Sequence, residues 1–493
     1  MNKFWLLTLA IFGLCVHGLI AQNTNQYVFT LEEVLQRARD QSPAAKRAQT
    51  LKDNNYWNYK IFQSNYNPQL RLGGVLPTFS QSFNNISQPD GSIQFLEVRQ
   101  NFAELELGME QVITPTGGNI SINSATRRFD NFLSPAGVPK TQWSGVPINL
   151  RLEQPLFAFN RFKWDKKIQP LRYEESKREF VEEMEGINIR VTSIYFDYLL
   201  AQANLDIANN NLNNTKEIFS IEEKRYLMGS THEEKLLQVE LQVLQARQDL
   251  AQAQLDVDRA GLALKSFVGL NEASTLVLLT PERMPTVNVD PAKALEMAFQ
   301  NRAQTIGFDR LSLEAEAEMA RALGDRYRIQ LNASYGLNNA ALQWQNIYLD
   351  PNRQTLLNLS FFIPVMDWGR NKARIGKARA NRELVHYTIE QELVNFEQEI
   401  LTKVKNFTML KERLEITKTA DQVAEKRYSL AFKRYQENNI SITDLMIAQQ
   451  EKDRNRRAFM SALKAYYEAY FELRSLTLFD FEENRLLYIP ENR

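Results

Sequence analysis

From Phe159 to Phe267 the apolar positions fall into two helical stripes. Ile187, Val191, Ile194, Tyr198, Ala201, Leu205, Ala208 and Leu212 alternate at spacings of four and three, the heptad signature of helices packed side by side. Pro170 is the only proline from about Asn160 to Met228, and Gly229-Ser230 then breaks the pattern. Thr231 and Glu234 have capping-box spacing, which predicts a new helix starting there. Its seam is Leu236, Val239, Val243, Ala246, Leu250, Ala253, Val257, Ala260, Leu264 and Phe267. The prediction is an antiparallel helical hairpin whose long arm, at 1.5 Å per residue, spans roughly 100 Å. An arm of that length is a strut or a wall rather than part of an ordinary globular core.

The pattern returns 209 residues later. Pro155-Leu156-Phe157 ahead of Arg161 matches Pro364-Val365-Met366 ahead of Arg370, and Lys224-Arg225-Tyr226 matches Lys433-Arg434-Tyr435. One offset at both anchors implies two long arms of equal length. Near the break the second copy carries Asn438-Asn439 where the first has Met228-Gly229, and Ser441 with Asp444 restarts the helix. Upstream, Val34-Leu35 and Ala38 ahead of Ser42-Pro43 resemble Ala294-Leu295 and Ala298 ahead of Arg302, now at an offset of 260. The chain is internally duplicated, and its first copy holds about 51 additional residues before the long arm.

Between the helices the period changes to two. Thr30 and Glu33 open a helix to about Ser64, after which Leu70 and Leu72, then Leu105, Leu107 and Met109, then Ile120 and Ile122, then Ile148, Leu150 and Leu152 alternate with polar neighbours. Four strands are predicted, each with one apolar and one polar face. The second copy has two, around Ile329–Leu337 and Leu357–Ile363. Thr114–Gly118 reads as a tight turn; residues 80–97 and 130–145 read as long loops, with Phe79, Phe83, Phe129, Phe132 and Trp143 near their ends. Short turns at one end and long loops at the other suit an outer-membrane barrel. Arg71, Glu104, Glu106, Glu110, Arg151, Glu153 and Arg328 would then face the lumen, since their neighbours must face lipid.

Six strands split by helices leave open edges that lipid forbids, so such a sheet must close by sharing strands between copies. The extra hairpin of the first copy either joins the wall, giving 18 strands in three copies, or folds over the mouth, leaving 12. The expected fold class is α+β: an internally duplicated membrane protein whose trimeric barrel continues into a long antiparallel α-helical tunnel.

Composition narrows the setting. Met1–Ala21 reads as a secretory signal, with Lys3 ahead of an apolar core at Phe4–Val16, and an uncleaved anchor as the other reading. Cys15 is the only cysteine, and Leu14 before it is a poor fit to the small residue that lipidation prefers. Beyond the leader no apolar run approaches 18 residues. The 59 basic and 59 acidic residues give no excess for nucleic-acid binding. Catalysis finds no support: His17, His232 and His386 are the only histidines, and no metal cluster, phosphate-binding Gly-Lys loop or G-x-S-x-G elbow is present, so no cofactor is expected. The organisation expected is signal 1–21, first repeat 22–268 with strands and loops at 66–158, linker 269–290, second repeat 291–476 with strands and loop at 327–366, and tail 477–493.

The order of leader, helix, strands, Pro-Leu-Phe-x-x-x-Arg, long helix, Arg-Tyr tip and return helix, then all of it again, resembles the TolC family of outer-membrane efflux and secretion ducts. The resemblance covers essentially the whole mature chain. It implies a homotrimer seated in outer-membrane lipid with a periplasmic extension. Its helical tips would dock on a periplasmic adaptor (membrane-fusion) protein and an inner-membrane pump of RND or ABC type. The function implied is a passive exit duct for small solutes, with type I protein secretion on the same architecture as the alternative. A secreted coiled-coil scaffold or adhesin is the reading from another class.

The resemblance also implies a gate at the tips. Tyr435 falls on the family's tyrosine, Asp444 on its first gate aspartate and Ile447 on its second, while Lys235 stands where the first copy would carry another, and Ile440 at the gate arginine. One carboxylate ring is thus retained by position, and a ring of acids favours cations. Capping by itself would also account for Asp444, and packing for Tyr435. Met228, Gly229 and Ser230, with Glu437, Asn438 and Asn439, are the candidate docking tips.

Overall fold

The protein is described by a computed structural model covering residues 26–270, 275–281, 284–285, 287–437 and 439–488. The expected leader, Cys15 and Asn438 lie outside these residues.

After strand β1 (Gln26–Phe29), Thr30 caps α1 (Leu31–Gln41) with the reciprocal Thr30–Glu33 box. The expected single helix to Ser64 is two. Proline disfavours helical geometry in the residue before it, and Ser42 is extended, with ψ of 146°. Helix α2 (Pro43–Ser64) then starts with proline in its first turn, and Ser42 Oγ accepts from Ala45 N at 3.0 Å. Strands β2 (Gln69–Ser87), β3 (Ile93–Ile113), β4 (Gly118–Asn131) and β5 (Thr141–Leu156) follow. Then come α3 (Arg161–Leu227), α4 (Glu233–Val268) and β6 (Thr275–Leu278). The second half holds α5 (Pro291–Asn301), α6 (Ala303–Gly324), β7 (Arg328–Ala341), a short 3-10 turn at Trp344–Ile347, β8 (Asn352–Phe362), α7 (Arg370–Gln436) and α8 (Ile442–Thr477). Two short strands, β9 (Phe479–Asp480) and β10 (Arg485–Leu486), end the described chain. Helices α3 and α7 are both 67 residues long, and α4 and α8 both 36.

The chain divides into two compact units. Among the described residues, the first holds those of 26–50, 180–299 and 399–488. The stripe of α3 is its core: Ile187, Val191, Tyr198, Ala201, Ala208 and Leu212 are buried. On α4 the seam residues Val239, Val243, Ala246, Ala253 and Leu264 are buried too. β1 pairs in parallel with β6, a pairing the sequence pattern did not reveal. Two tyrosines of α3 fasten this patch: Tyr195 OH donates to Leu279 O at 2.5 Å and Tyr198 OH to Leu276 O at 2.8 Å. A buried ionic cluster ties down the C-terminal strands. Arg474 bonds Asp480 at 2.9 Å and Glu185 at 3.1 Å, and Tyr470 OH donates to Asp480 at 3.0 Å.

The second unit, residues 51–179 and 300–398, holds one six-stranded antiparallel sheet in the order β2-β3-β4-β5-β7-β8. Pairing of β5 with β7 joins strands from the two copies of the repeat. Residues 80–87 and 93–97, expected in a loop, are strand, so Phe79 and Phe83 lie within β2; only the turn around Pro89-Asp90-Gly91 remains. Alternation there is masked because Phe83, Asn85, Phe95 and Glu97 share a face, mixing polar and apolar residues. Irregular rungs occur between Val75 and Thr78 and between Gly145 and Ile148, each spanning a proline, which has no N–H for the ladder. Arg310 ties α6 to α3 through Glu175, and Tyr59 stacks on Tyr173 at 4.5 Å.

Candidate functional site

At the turn between α3 and α4, Gly229 takes φ of 72°, the left-handed cap that ends helices, and Ser230 N donates back to Arg225 O at 2.9 Å. The turn between α7 and α8 repeats this bond: Asn439 N donates to Arg434 O at 2.7 Å. Met228, Gly229, Ser230, Glu437 and Asn439 are all exposed there. Asn439 Nδ2 donates to Glu437 Oε2 at 3.0 Å. The expected box at Thr231 does not form. Helix α4 starts one residue later than that box requires, at Glu233, with His232 as N-cap and no side-chain cap bond.

Behind the turns the four helix ends share one apolar cluster: Ile218 of α3, Val239 of α4, Tyr428 and Tyr435 of α7, and Ile442, Leu445 and Ala448 of α8. Tyr435 is 2% exposed and donates its hydroxyl to Glu222 Oε1 at 2.7 Å. Arg225 pairs with Glu222 at 2.8 Å and lies 5.2 Å from the centre of the Tyr435 ring. Burial would raise the Glu222 carboxyl, but the bonds from Tyr435 and Arg225 hold it below the usual carboxylate range. Burial first, and then the hydrogen bond to Glu222 and its charge, push the Tyr435 hydroxyl well up. The sequence pattern points to Tyr435 but not to its partners Glu222 and Arg225, which lie on α3, 213 and 210 residues away. The one local signal was Glu222 three residues before Arg225 on a helix.

The remaining gate positions lie on the exposed faces. Asp444 is exposed and completes the capping box: its carboxylate accepts from Ser441 Oγ at 2.7 Å, and its N–H donates to Ser441 Oγ at 3.1 Å. Those bonds hold its carboxyl low. Ile447, one turn on, is exposed on the same helix, and Lys235 is exposed in the first turn of α4. Within one chain these three are not gathered as Tyr435, Glu222 and Arg225 are.

Farther along the arms a polar layer interrupts the seam. Asn211 of α3 donates to Asp453 of α8 at 2.7 Å, and Asn214 donates to Tyr428 OH at 2.8 Å. Asp453 is 5% exposed, and burial raises its carboxyl above the usual range despite the Asn211 bond and the nearby Lys452 and Arg457 charges. Burial, with Asp453 next, pushes Tyr428 up to about 12.

In the sheet, register places all seven expected lumen residues on one face. Arg71 stands opposite Gly108, between Glu106 and Glu110, and Ser121 links the Glu110 rung to Arg151. Glu153 pairs with Asn332, which shares its face with Arg328. The charges neutralise one another: Arg71 bonds Glu110, and Arg127 bonds Glu104 at 3.0 Å. Arg71, Glu106, Glu110, Arg151 and Glu153 line a shallow cavity of about 400 Å³. The other face carries an apolar row across the strands, Leu70–Met109–Ile122–Leu150–Tyr335, every member exposed.

A sheet with an exposed apolar face and a charged opposite face, in a chain that also carries two 67-residue helices of about 100 Å each, defines a membrane-duct class of protein. The chain belongs to the outer membrane efflux protein family, whose model matches residues 120–270 and 298–477, more than half of the chain. It is a TolC-like protein of the bacterial outer membrane with a periplasmic extension, and its family consists of channels rather than enzymes. The cation efflux system protein CusC of Escherichia coli K12 is 24% identical over 219 residues, which is 44% of this chain and 45% of that protein. The chain thus matches a little under half the length of that curated relative. Solved structures extend the likeness in fold. A membrane protein from Pseudomonas aeruginosa superposes with a TM-score of 0.64 at 15% identity, covering 93% of this chain and 92% of that one. The CmeC outer membrane channel of Campylobacter jejuni gives 0.64 at 13% identity, covering 91% and 85%. Among the described residues no helix is long and apolar enough to cross a membrane.

Proposed function

We propose that the chain is the passive exit duct of a tripartite efflux system, acting as a homotrimer. The observation that carries this reading is the open six-stranded sheet with one exposed apolar face and one charged face. In lipid its edges require partners, and further copies of the same sheet supply them. The arms support the trimer independently. Met409, Ile416, Val423 and Leu430, seven residues apart on α7, are each more than half exposed, as are Leu237, Leu241 and Leu244 on α4. Such heptad stripes suit neighbouring helices of a ring.

In this reading residues 22–268 and 291–476 are the two repeats, and 269–290 joins them. The tips at Met228–Ser230 and Glu437–Asn439 dock on a periplasmic adaptor coupled to an inner-membrane pump. The Tyr435–Glu222–Arg225 clasp ties α7 to α3 within each copy, and three Asp444 carboxylates ring the constriction with Ile447 and Lys235 near it. Passage is through a wet lumen lined by Arg71, Glu104, Glu106, Glu110, Arg151, Glu153 and Arg328. Deletion with a toxicity panel tests the assignment. Sensitisation to small toxicants, metal ions included, is the expected outcome. Unchanged sensitivity with one secreted protein lost would move the reading to type I secretion.

A further inference from the structure

The strand pairing of this chain bears on how much wall each copy supplies. We infer that the edge strands β2 and β8 dock on each other in neighbouring copies. All six strands then enter the wall, and three copies close a barrel of eighteen strands. The inference rests on the trimeric duct reading above.

Three observations carry it. The first is continuity: β3 pairs with β4 along the whole of β4, from Gly118 to Asn131, across the tight turn at Thr114–Gly117. A wall made without β2 and β3 would have to strip that ladder and bare a new edge at β4. The second is the outer face. Leu70, Leu72, Leu105, Leu107 and Met109 of the additional hairpin are exposed, as are Leu357, Leu359 and Phe361 of β8, and register puts them on the same face. A hairpin folded over a watery mouth would present that apolar row to solvent, whereas in the wall it meets lipid. The third is direction. Six strands alternating up and down leave β2 and β8 antiparallel to each other, so copies join edge to edge in the antiparallel sense used throughout the sheet. The consequence is a wider mouth than four strands per copy would give, since barrel diameter grows with strand number.

Cysteine cross-linking of the full-length trimer in isolated outer membranes tests this, because Cys15 is the only native cysteine. One set of double variants combines Leu70→Cys or Leu72→Cys with Leu357→Cys, Leu359→Cys or Phe361→Cys. A second set combines Ile120→Cys or Ile122→Cys on β4 with the same β8 positions. Oxidation is expected to shift the first set, and not the second, from single-chain to two- and three-chain bands on denaturing gels. In the proposed wall β4 stands about 14 Å from the neighbour's β8, three strand spacings away. Hydrogen exchange on the unmodified protein gives a readout that needs no variant: the amides of residues 69–76 are expected to be protected on both edges. Linkage in the β4 set with fast exchange along β2 would overturn the inference and leave the trimer standing. No linkage in either set, with a monomeric mass in detergent, would overturn both.

Discussion

Glu222 is a buried carboxylate whose ionised form is supported by one phenol and one guanidinium. Tyr435→Phe removes the phenol's bond and leaves Glu222 dependent on Arg225. The expected cost is about 1–3 kcal/mol, read as a lower unfolding temperature in detergent. If the clasp holds the tip shut, the same variant raises ion current across a planar bilayer. The Glu222 carboxyl is depressed in the fold, so its contribution is present above the ordinary carboxylate pKa and fades as pH falls through its folded value. Asp453 has the opposite sign. Its carboxyl is raised, so the folded state holds a proton that the unfolded chain has released, and stability falls as pH rises from the ordinary value through the raised one. Asp453→Asn is expected to flatten that slope and to raise the unfolding temperature near neutral pH. Scanning calorimetry across pH checks both signs.

At the scale of elements, helix ends and short strands are held by few bonds and are correspondingly easy to release. Ser441 carries the start of α8, so Ser441→Ala is expected to cost about 1 kcal/mol, measured by chemical denaturation. The C-terminal strands depend on Arg474, whose loss would leave buried Asp480 without a cation and buried Glu185 with Arg39 at 3.6 Å. Arg474→Ala is expected to destabilise by about 3–5 kcal/mol and to expose residues 478–488 to protease. The helices are legible from pattern: the boxes at Thr30 and Ser441 form at the starts of α1 and α8, and much of the stripes of α3 and α4 is buried. The box at Thr231 misleads because spacing by itself does not say where the preceding turn lets a helix begin. The side-chain caps of the long arms sit instead at Asn160 and Asp367, just before α3 and α7.

For the whole molecule, the proposed duct depends on assembly. Ile416→Asp combined with Val423→Asp places two charges in the exposed stripe of α7. The expected result is a shift from trimer to monomer by light scattering in detergent, with helical content unchanged by circular dichroism. A duct also requires detergent for release from membranes, so appearance of the native chain in a salt wash would contradict the trimeric barrel. The charged sheet face adds little net field, since Arg71 meets Glu110 and Arg127 meets Glu104. On the duct reading proposed above, selectivity by charge would rest with the tips, where Asp444 stands exposed.

Local periodicity was sufficient for the equal arms, the two faces of the sheet and the shared face of its charged residues, because heptad and alternate spacing are properties of consecutive residues. Ser42-Pro43 likewise held the break between α1 and α2 in plain view, since proline restrains its neighbour before any tertiary contact forms. The folded chain decided the rest. Pairing of β1 with β6, the crossing of β5 to β7 and the bond from Tyr435 to Glu222 each join residues far apart in sequence. No spacing encodes such meetings: many partners are chemically suitable, and only the packed arrangement of helices and strands brings one within hydrogen-bond reach.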